Sequence, residues 1–241
     1  AEGKFKVEFV AAADDRFTRE ADPTFSFTIE AWATDISGET QTANTSFTIG
    51  YRTIDIQVGF GDALDRASTD SLHIDVRNLN GDAVQVPVEV KVARLQRPEG
   101  ELRRERPWAR PDRFVTTRSE HDARFPDEAY DGERDPATWP VRSEPVLVHR
   151  GTKGAFPWKQ LKDLEVGTYR LFVNATDPNG ERVALTKEFT LYDRDIQNTG
   201  FENEPFHVQA IDTSCEPGDK ATLLLSSAAE EVRVLMEVER E

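Results

Sequence analysis

Apolar residues recur at every second position over much of the chain, the pattern of strands with one buried face. Lys4-Phe5-Lys6-Val7-Glu8-Phe9 alternates, as do Thr24 to Ala31 and Thr45 to Ile49. Further on, Ile54 to Val58, Ser71 to Val76, and Val84 to Leu95 through Val86, Val88, Val90 and Val92 keep the same period. Pro145 to His149, then Tyr169, Leu171 and Val173, continue it, and two more strands are predicted at Ala221 to Leu225 and Val232 to Val238. Asn78-Leu79-Asn80-Gly81-Asp82 supplies a turn, with Gly81 free to take positive φ. The middle stretch yields about seven strands, a Greek-key sandwich in the immunoglobulin or fibronectin style. Leu164, Gly167 and Tyr169 have the spacing of a tyrosine corner, where a Tyr opening the penultimate strand ties back to the preceding loop.

One segment returns. Ala33-Thr34-Asp35 with Gly38-Glu39 reappears 142 positions later as Ala175-Thr176-Asp177 with Gly180-Glu181, and Phe47-Thr48-Ile49 stands opposite Phe189-Thr190-Leu191 in the same register. Each copy reads as strand, Asp-x-x-Gly turn, strand: the hairpin that closes a β-sandwich. A repeat of this period implies tandem domains. The first hairpin closes near Tyr51, too early for a whole sandwich to precede it. The expected organisation is therefore the C-terminal part of one sandwich at 1–51, a complete sandwich at 52–193 and the N-terminal part of another from 194 to 241. The fold class is all-β, tandem immunoglobulin- or fibronectin-like sandwiches cut from a longer array. Incomplete sandwiches leave sheet edges open, so association or instability of the terminal parts is expected.

From about Gln96 to Ser143 the alternation stops, and Arg, Pro, Asp and Glu dominate. Trp108, Phe114, Phe125, Tyr130 and Trp139 do not belong in a free linker. They predict an insertion that packs onto its host sandwich or a neighbour. Such an insertion also accounts for a period longer than the roughly 100 residues of a plain sandwich.

Composition narrows the function classes. The net charge of −15 repels nucleic acid and anionic membrane surfaces alike. No apolar run approaches the ~18 residues of a membrane span, and Ala1 to Phe5 lacks the apolar core of a signal peptide. The single cysteine, Cys215, excludes a disulfide within the chain, which suits a bacterial envelope protein better than a eukaryotic extracellular module.

No catalytic, cofactor-binding or metal-binding residues are assigned. His73, His121, His149 and His207 have no ligand spacing among them. Cys215 has no basic neighbour to lower its pKa and is expected to be a partly buried small residue beside a turn. Asp35, Asp177, Asp193 and Asp195 suggest calcium between domains, but too few oxygens accompany each, and Asp favours tight turns for its own hydrogen-bonding reasons. The arginines between Arg97 and Arg113 alternate with Glu99, Glu101, Glu105 and Asp112, so surface ion pairing is expected there.

The two hairpin motifs, the insertion elements Arg106-Pro107-Trp108, Phe125-Pro126 and Trp139-Pro140, the corner at Leu164 to Tyr169, and Glu216-Pro217-Gly218-Asp219 occur in an order that resembles the bacterial branch of the alpha-2-macroglobulin family, of the Bacteroidetes type. The resemblance implies macroglobulin-like sandwiches that form the scaffold of a protease trap, with host or environmental proteases and neighbouring domains as partners and the periplasm or cell surface as location. It implies no chemistry here: the family's Cys-Gly-Glu-Gln thioester has no counterpart, because Cys215 is followed by Glu216 and Pro217. The expected role is a non-catalytic scaffold segment of a protease-trapping inhibitor. The alternatives are an adhesin or binding module built of immunoglobulin-like domains, or an accessory domain of a large secreted enzyme.

Overall fold

The computed structural model describes residues 6–67, 71–99, 103, 113–142, 144–151, 155–195, 200–202, 204, 206–212, 215–227 and 233–239. In chain order the strands are β1 (Thr24–Thr34), β2 (Thr40–Gly50), β3 (Ile54–Val58), β4 (Ala63–Asp65), β5 (Ser71–Asn78) and β6 (Val88–Arg94). There follow β7 (Leu147–Gly151), β8 (Ala155–Pro157), β9 (Gly167–Thr176), β10 (Arg182–Tyr192), β11 (His207–Asp212) and β12 (Thr222–Ser226). A single short α-helix is described, α1 (Arg118–Arg124). The chain is all-β.

Strands β3 to β10 make two sheets, one ordered β3-β5-β8 and the other β4-β10-β9-β6-β7. Their inward residues share one core: Ile54, Ile56, Ile74 and Val76 from the first sheet meet Val90, Leu171, Phe189 and Leu191 from the second. Period-two alternation thus puts every other side chain of both sheets into one apolar layer, and burial of that layer drives the packing. Eight strand segments build this sandwich where about seven were expected. The first strand is split: β3 pairs with β5, then the chain crosses to the other sheet, where β4 runs parallel to β10. Asp62 marks the crossing by accepting from the Thr190 amide at 2.8 Å.

The sequence repeat is a structural repeat. In both copies a 3-10 turn precedes an antiparallel hairpin, Arg19–Ala21 before β1–β2 and Trp158–Asp163 before β9–β10. The Asp35 amide donates to the Glu39 carbonyl at 2.9 Å, and the Asp177 amide to the Glu181 carbonyl at 2.9 Å. Gly38 and Gly180 sit at φ +85° and +87°, a conformation that a Cβ would strain. One carboxylate oxygen of Asp35 accepts from the amides of Ser37 and Glu39, and one of Asp177 from those of Asn179 and Glu181. Behind each turn an aromatic pair faces across the strands, Phe27 with Phe47 at 5.4 Å and Tyr169 with Phe189 at 5.8 Å.

The copies differ in what surrounds them. The strands β9 and β10 are central to their sheet, whereas among the described residues β1 and β2 pair only with each other. Tyr169, at 1 % exposure, donates its hydroxyl to the Glu165 carbonyl at 2.7 Å, the tyrosine-corner contact, and burial pushes its pKa up. Phe27 has no hydroxyl and makes no such tie. Tyr169→Phe is expected to lower the stability of the central sandwich by about 1 kcal/mol, read from the denaturant midpoint at unchanged slope.

Two expected strands are absent among the described residues. Residues 6–10 form no strand, although Phe9 lies over Phe27 and Phe47 at 6.0 and 5.9 Å. Residues 233–239 likewise form none, and Leu235 and Val238 are each 84 % exposed. An alternating pattern supplies a strand's side chains but not the neighbouring backbone that a strand needs for its hydrogen bonds.

Candidate interaction surfaces: the insertion and the joints

The insertion springs from the tip of the β6–β7 hairpin. Leu95 bridges to Val141, the Gln96 amide donates to the Pro140 carbonyl at 2.8 Å, and the Arg142 amide to the Arg94 carbonyl at 2.8 Å. Its two ends therefore leave and return side by side, so the excursion does not disturb the sandwich. Within it, α1 is closed by a capping box: Thr117 accepts from the Glu120 amide, and the Glu120 carboxylate accepts from the Thr117 amide at 3.0 Å. The Thr117 hydrogen bonds, from its backbone and then its side chain, hold the Glu120 carboxyl below its ordinary range. Tyr130 gathers Phe114 at 4.6 Å, His121 at 5.3 Å and the Arg118 guanidinium at 5.2 Å, and donates to the Thr116 carbonyl. The insertion thus has a small core of its own.

One residue steadies it from within and another ties it to the host. Trp139 is 2 % exposed and donates its indole N–H to the Glu133 carbonyl at 2.8 Å. Arg170, on β9, is held by Glu188 at 2.7 Å and donates to the carbonyls of Pro136, Ala137 and Trp139 at 2.8, 2.9 and 3.3 Å. The insertion thus meets its host through Arg170 and the backbone carbonyls of residues 136, 137 and 139. Trp108 and the arginines at 104, 106 and 110 lie outside the described residues. Arg103 pairs with Asp122 of α1 rather than with one of the acidic residues interleaved in that stretch.

Each terminal hairpin is tied to the central sandwich by a distinct joint. At the N-terminal joint, the Asn80 side chain copies a strand edge: its carbonyl accepts from the Thr48 amide at 2.7 Å and its amide donates to the Thr48 carbonyl at 3.1 Å. Thr190, the repeat equivalent of Thr48, gives its amide to β-backbone at Asp62 instead. Arg52 pairs with Asp22 at 3.1 Å, and Arg19 reaches Glu181 while lying 5.1 Å over the Tyr51 ring. At the C-terminal joint, Arg66 pairs with Asp193 at 2.5 Å and Arg194 with Asp65. Phe201 is sandwiched between Tyr192 at 5.4 Å and His207 at 3.7 Å. Gly200, at φ +96°, passes so close that a Cβ would stand 2.5 Å from the Leu191 carbonyl oxygen. Asn80→Ala is expected to loosen the N-terminal joint and leave the central sandwich intact. Faster amide exchange at Thr48 with an unchanged main unfolding transition is the result to look for.

The chemically suggestive residues are spread over these features. His73 lies in β5, His149 in β7, His121 in α1 and His207 in β11. His207 donates from Nδ1 to the Glu204 carboxylate, 2.5 Å away. Among the described residues no group of three His, Cys, Asp or Glu side chains is placed to hold a metal ion. Asp177 is engaged with Thr53, and Asp193 with Arg66. Cys215 corrects one expectation: it is exposed rather than partly buried, because the turn it precedes projects from the two-stranded β11–β12 sheet. No described helix is long and apolar enough to cross a membrane. Sequence reasoning missed Asn80, Arg170 and the capping box. Only the box carried a local signal, Thr-x-x-Glu at Thr117 and Glu120.

No protein-family model matches this chain, and no curated protein matches it.

Proposed function

We propose that the chain is a non-catalytic scaffold segment of a tandem β-sandwich array, of the kind that alpha-2-macroglobulin-like protease traps use in a bacterial cell envelope. The observation that carries the scaffold reading is the repeated hairpin, with matching turn bonds and aromatic pairs, on either side of a joint built from named polar contacts. On this reading the central sandwich is an immunoglobulin- or macroglobulin-like domain spanning 52–193, and the flanking hairpins belong to its neighbours. The polar side chains of the joints are spent on holding units together, as a scaffold requires. The protease-trap part rests on the order of motifs described for the sequence. The insertion supports it as a folded projection from one hairpin tip, available to touch a neighbouring unit or a captured protein.

The test uses the longer protein that this reading requires, incubated with trypsin. Residual trypsin is assayed on a small chromogenic peptide and on a large protein substrate. Activity kept on the peptide and lost on the protein is the expected result, because a caged protease admits only small substrates. Equal activity on both would remove trypsin trapping and favour an adhesive binding module.

A further inference from the structure

Where the insertion leaves the central sandwich, a cleft of about 300 Å³ is lined by Arg94, Leu95, Gln96, Arg97, Arg142 and Glu202. Its walls follow from the ladder at the insertion's root. Leu95 bridges to Val141, and the Arg142 amide is bonded to the Arg94 carbonyl, so Arg142 stands directly opposite Arg94. By strand alternation Arg94, Gln96 and Arg142 then share one side of that ladder.

Like charges directly opposite each other across strands repel, and such a pair needs counter-charge. For Arg94 the chain supplies it. The Arg94 guanidinium donates to the Val166 carbonyl at 3.2 Å, and it pairs with Glu202 at 3.4 Å and with Glu165. Glu202 is engaged twice, since it also accepts from the Thr168 amide at 3.3 Å. Arg142 receives no such partner: among the described residues its guanidinium makes no hydrogen bond or ion pair. Arg97 adds a third guanidinium to the same walls. Three cationic groups thus line the cleft against one carboxylate, in a chain whose net charge is −15. A guanidinium presents its N–H groups as a planar fork that matches paired carboxylate or phosphate oxygens.

We propose that this cleft binds a small oxyanion, a carboxylate or a phosphate group, between Arg97 and Arg142. Arg97 lies on the outgoing and Arg142 on the returning segment of the insertion, so the bound anion cross-links the insertion's root. It also sits beside Arg94 and Glu202, which tie that root to the segment leading into β11. Binding here does not depend on the protease-trap reading.

Titration of the full chain with inorganic phosphate, and separately with acetate, tests this, with sodium chloride holding the ionic strength constant. Backbone amide shifts in the NMR spectrum are followed, and those of Gln96, Arg97 and Thr168 are expected to move and saturate. Arg142→Ala is expected to raise the half-saturating concentration about tenfold or more, the loss of a charge-assisted hydrogen bond. Arg97→Ala is a second variant with the same expected direction, and circular dichroism confirms that both keep their strands. Glu202→Gln removes a like charge and is expected to lower the half-saturating concentration. Saturation at lower phosphate than acetate identifies a phosphate site, and equal half-points identify a site for any oxyanion, carboxylates included. Shifts that never saturate with either anion, or that are the same in Arg142→Ala and Arg97→Ala as in the wild type, would overturn the proposal.

Discussion

Trp139→Ala is expected to unfold the insertion and leave the sandwich that carries it folded. A buried Trp replaced by Ala costs about 3–5 kcal/mol when the site cannot collapse. Here it also strands the Glu133 carbonyl that the indole N–H satisfies. That loss exceeds what a segment of this size, with one short helix and one aromatic cluster, can retain. The shared core between Ile54 and Leu191 has no part in it, because the insertion's ends are closed by the Gln96 and Arg142 backbone bonds. Limited trypsin digestion should therefore cut the variant between residues 97 and 139 long before the wild type. The main thermal transition should move little. Arg170→Ala should do the same more weakly, since it removes donors to three carbonyls while leaving Trp139 in place. An insertion equally resistant in both variants, or loss of the whole fold, would contradict this account.

The second large effect separates two turns of the same shape. Asp177 is 4 % exposed, and its second carboxylate oxygen accepts from the Thr53 amide and hydroxyl at 3.0 and 2.8 Å, pinning the start of β3. Burial opposes its ionisation, yet the hydrogen bonds from Thr53, Glu181 and Asn179 prevail and hold its carboxyl below the ordinary range. Asp177→Ala leaves those donors without their acceptor and is expected to cost on the order of 1–3 kcal/mol. Asp35→Ala removes the same turn bonds in solvent and should leave the main transition unmoved, as surface changes usually do. The pH dependence has a definite sign. A carboxyl whose folded pKa is depressed contributes its full stability above the unfolded value, near 3.9, and loses it as pH falls through the lower folded value. Wild-type stability should therefore fall below about pH 4, and that acid slope should be shallower in Asp177→Asn.

Strand positions were legible because alternation and burial are the same fact seen twice, and the spacing of Tyr169 foretold its corner. The repeat was legible for a similar reason: an Asp-x-x-Gly turn needs Asp for its side-chain bonds and Gly for positive φ, so both copies keep both residues. The three-residue strands β4 and β8 were invisible, since alternation needs more positions than they have. Asn80 and Arg170 were invisible for another reason. Each acts on backbone groups far away in sequence, Thr48 and residues 136–139, and no local pattern records a partner supplied by the tertiary fold. The misreading of Cys215 came from treating a small apolar residue near a turn as buried, when the two-stranded sheet there has no second layer among the described residues.

The most direct measurement is native-state amide exchange on the wild-type chain. If one central sandwich is flanked by hairpins of neighbouring units, the amides between β9 and β10 exchange only through global unfolding. Those between β1 and β2, in the same turn and register, exchange much faster through a separate local opening. Equal protection of the two hairpins, lost together in one cooperative step, would mean a single unit and would contradict the tandem account.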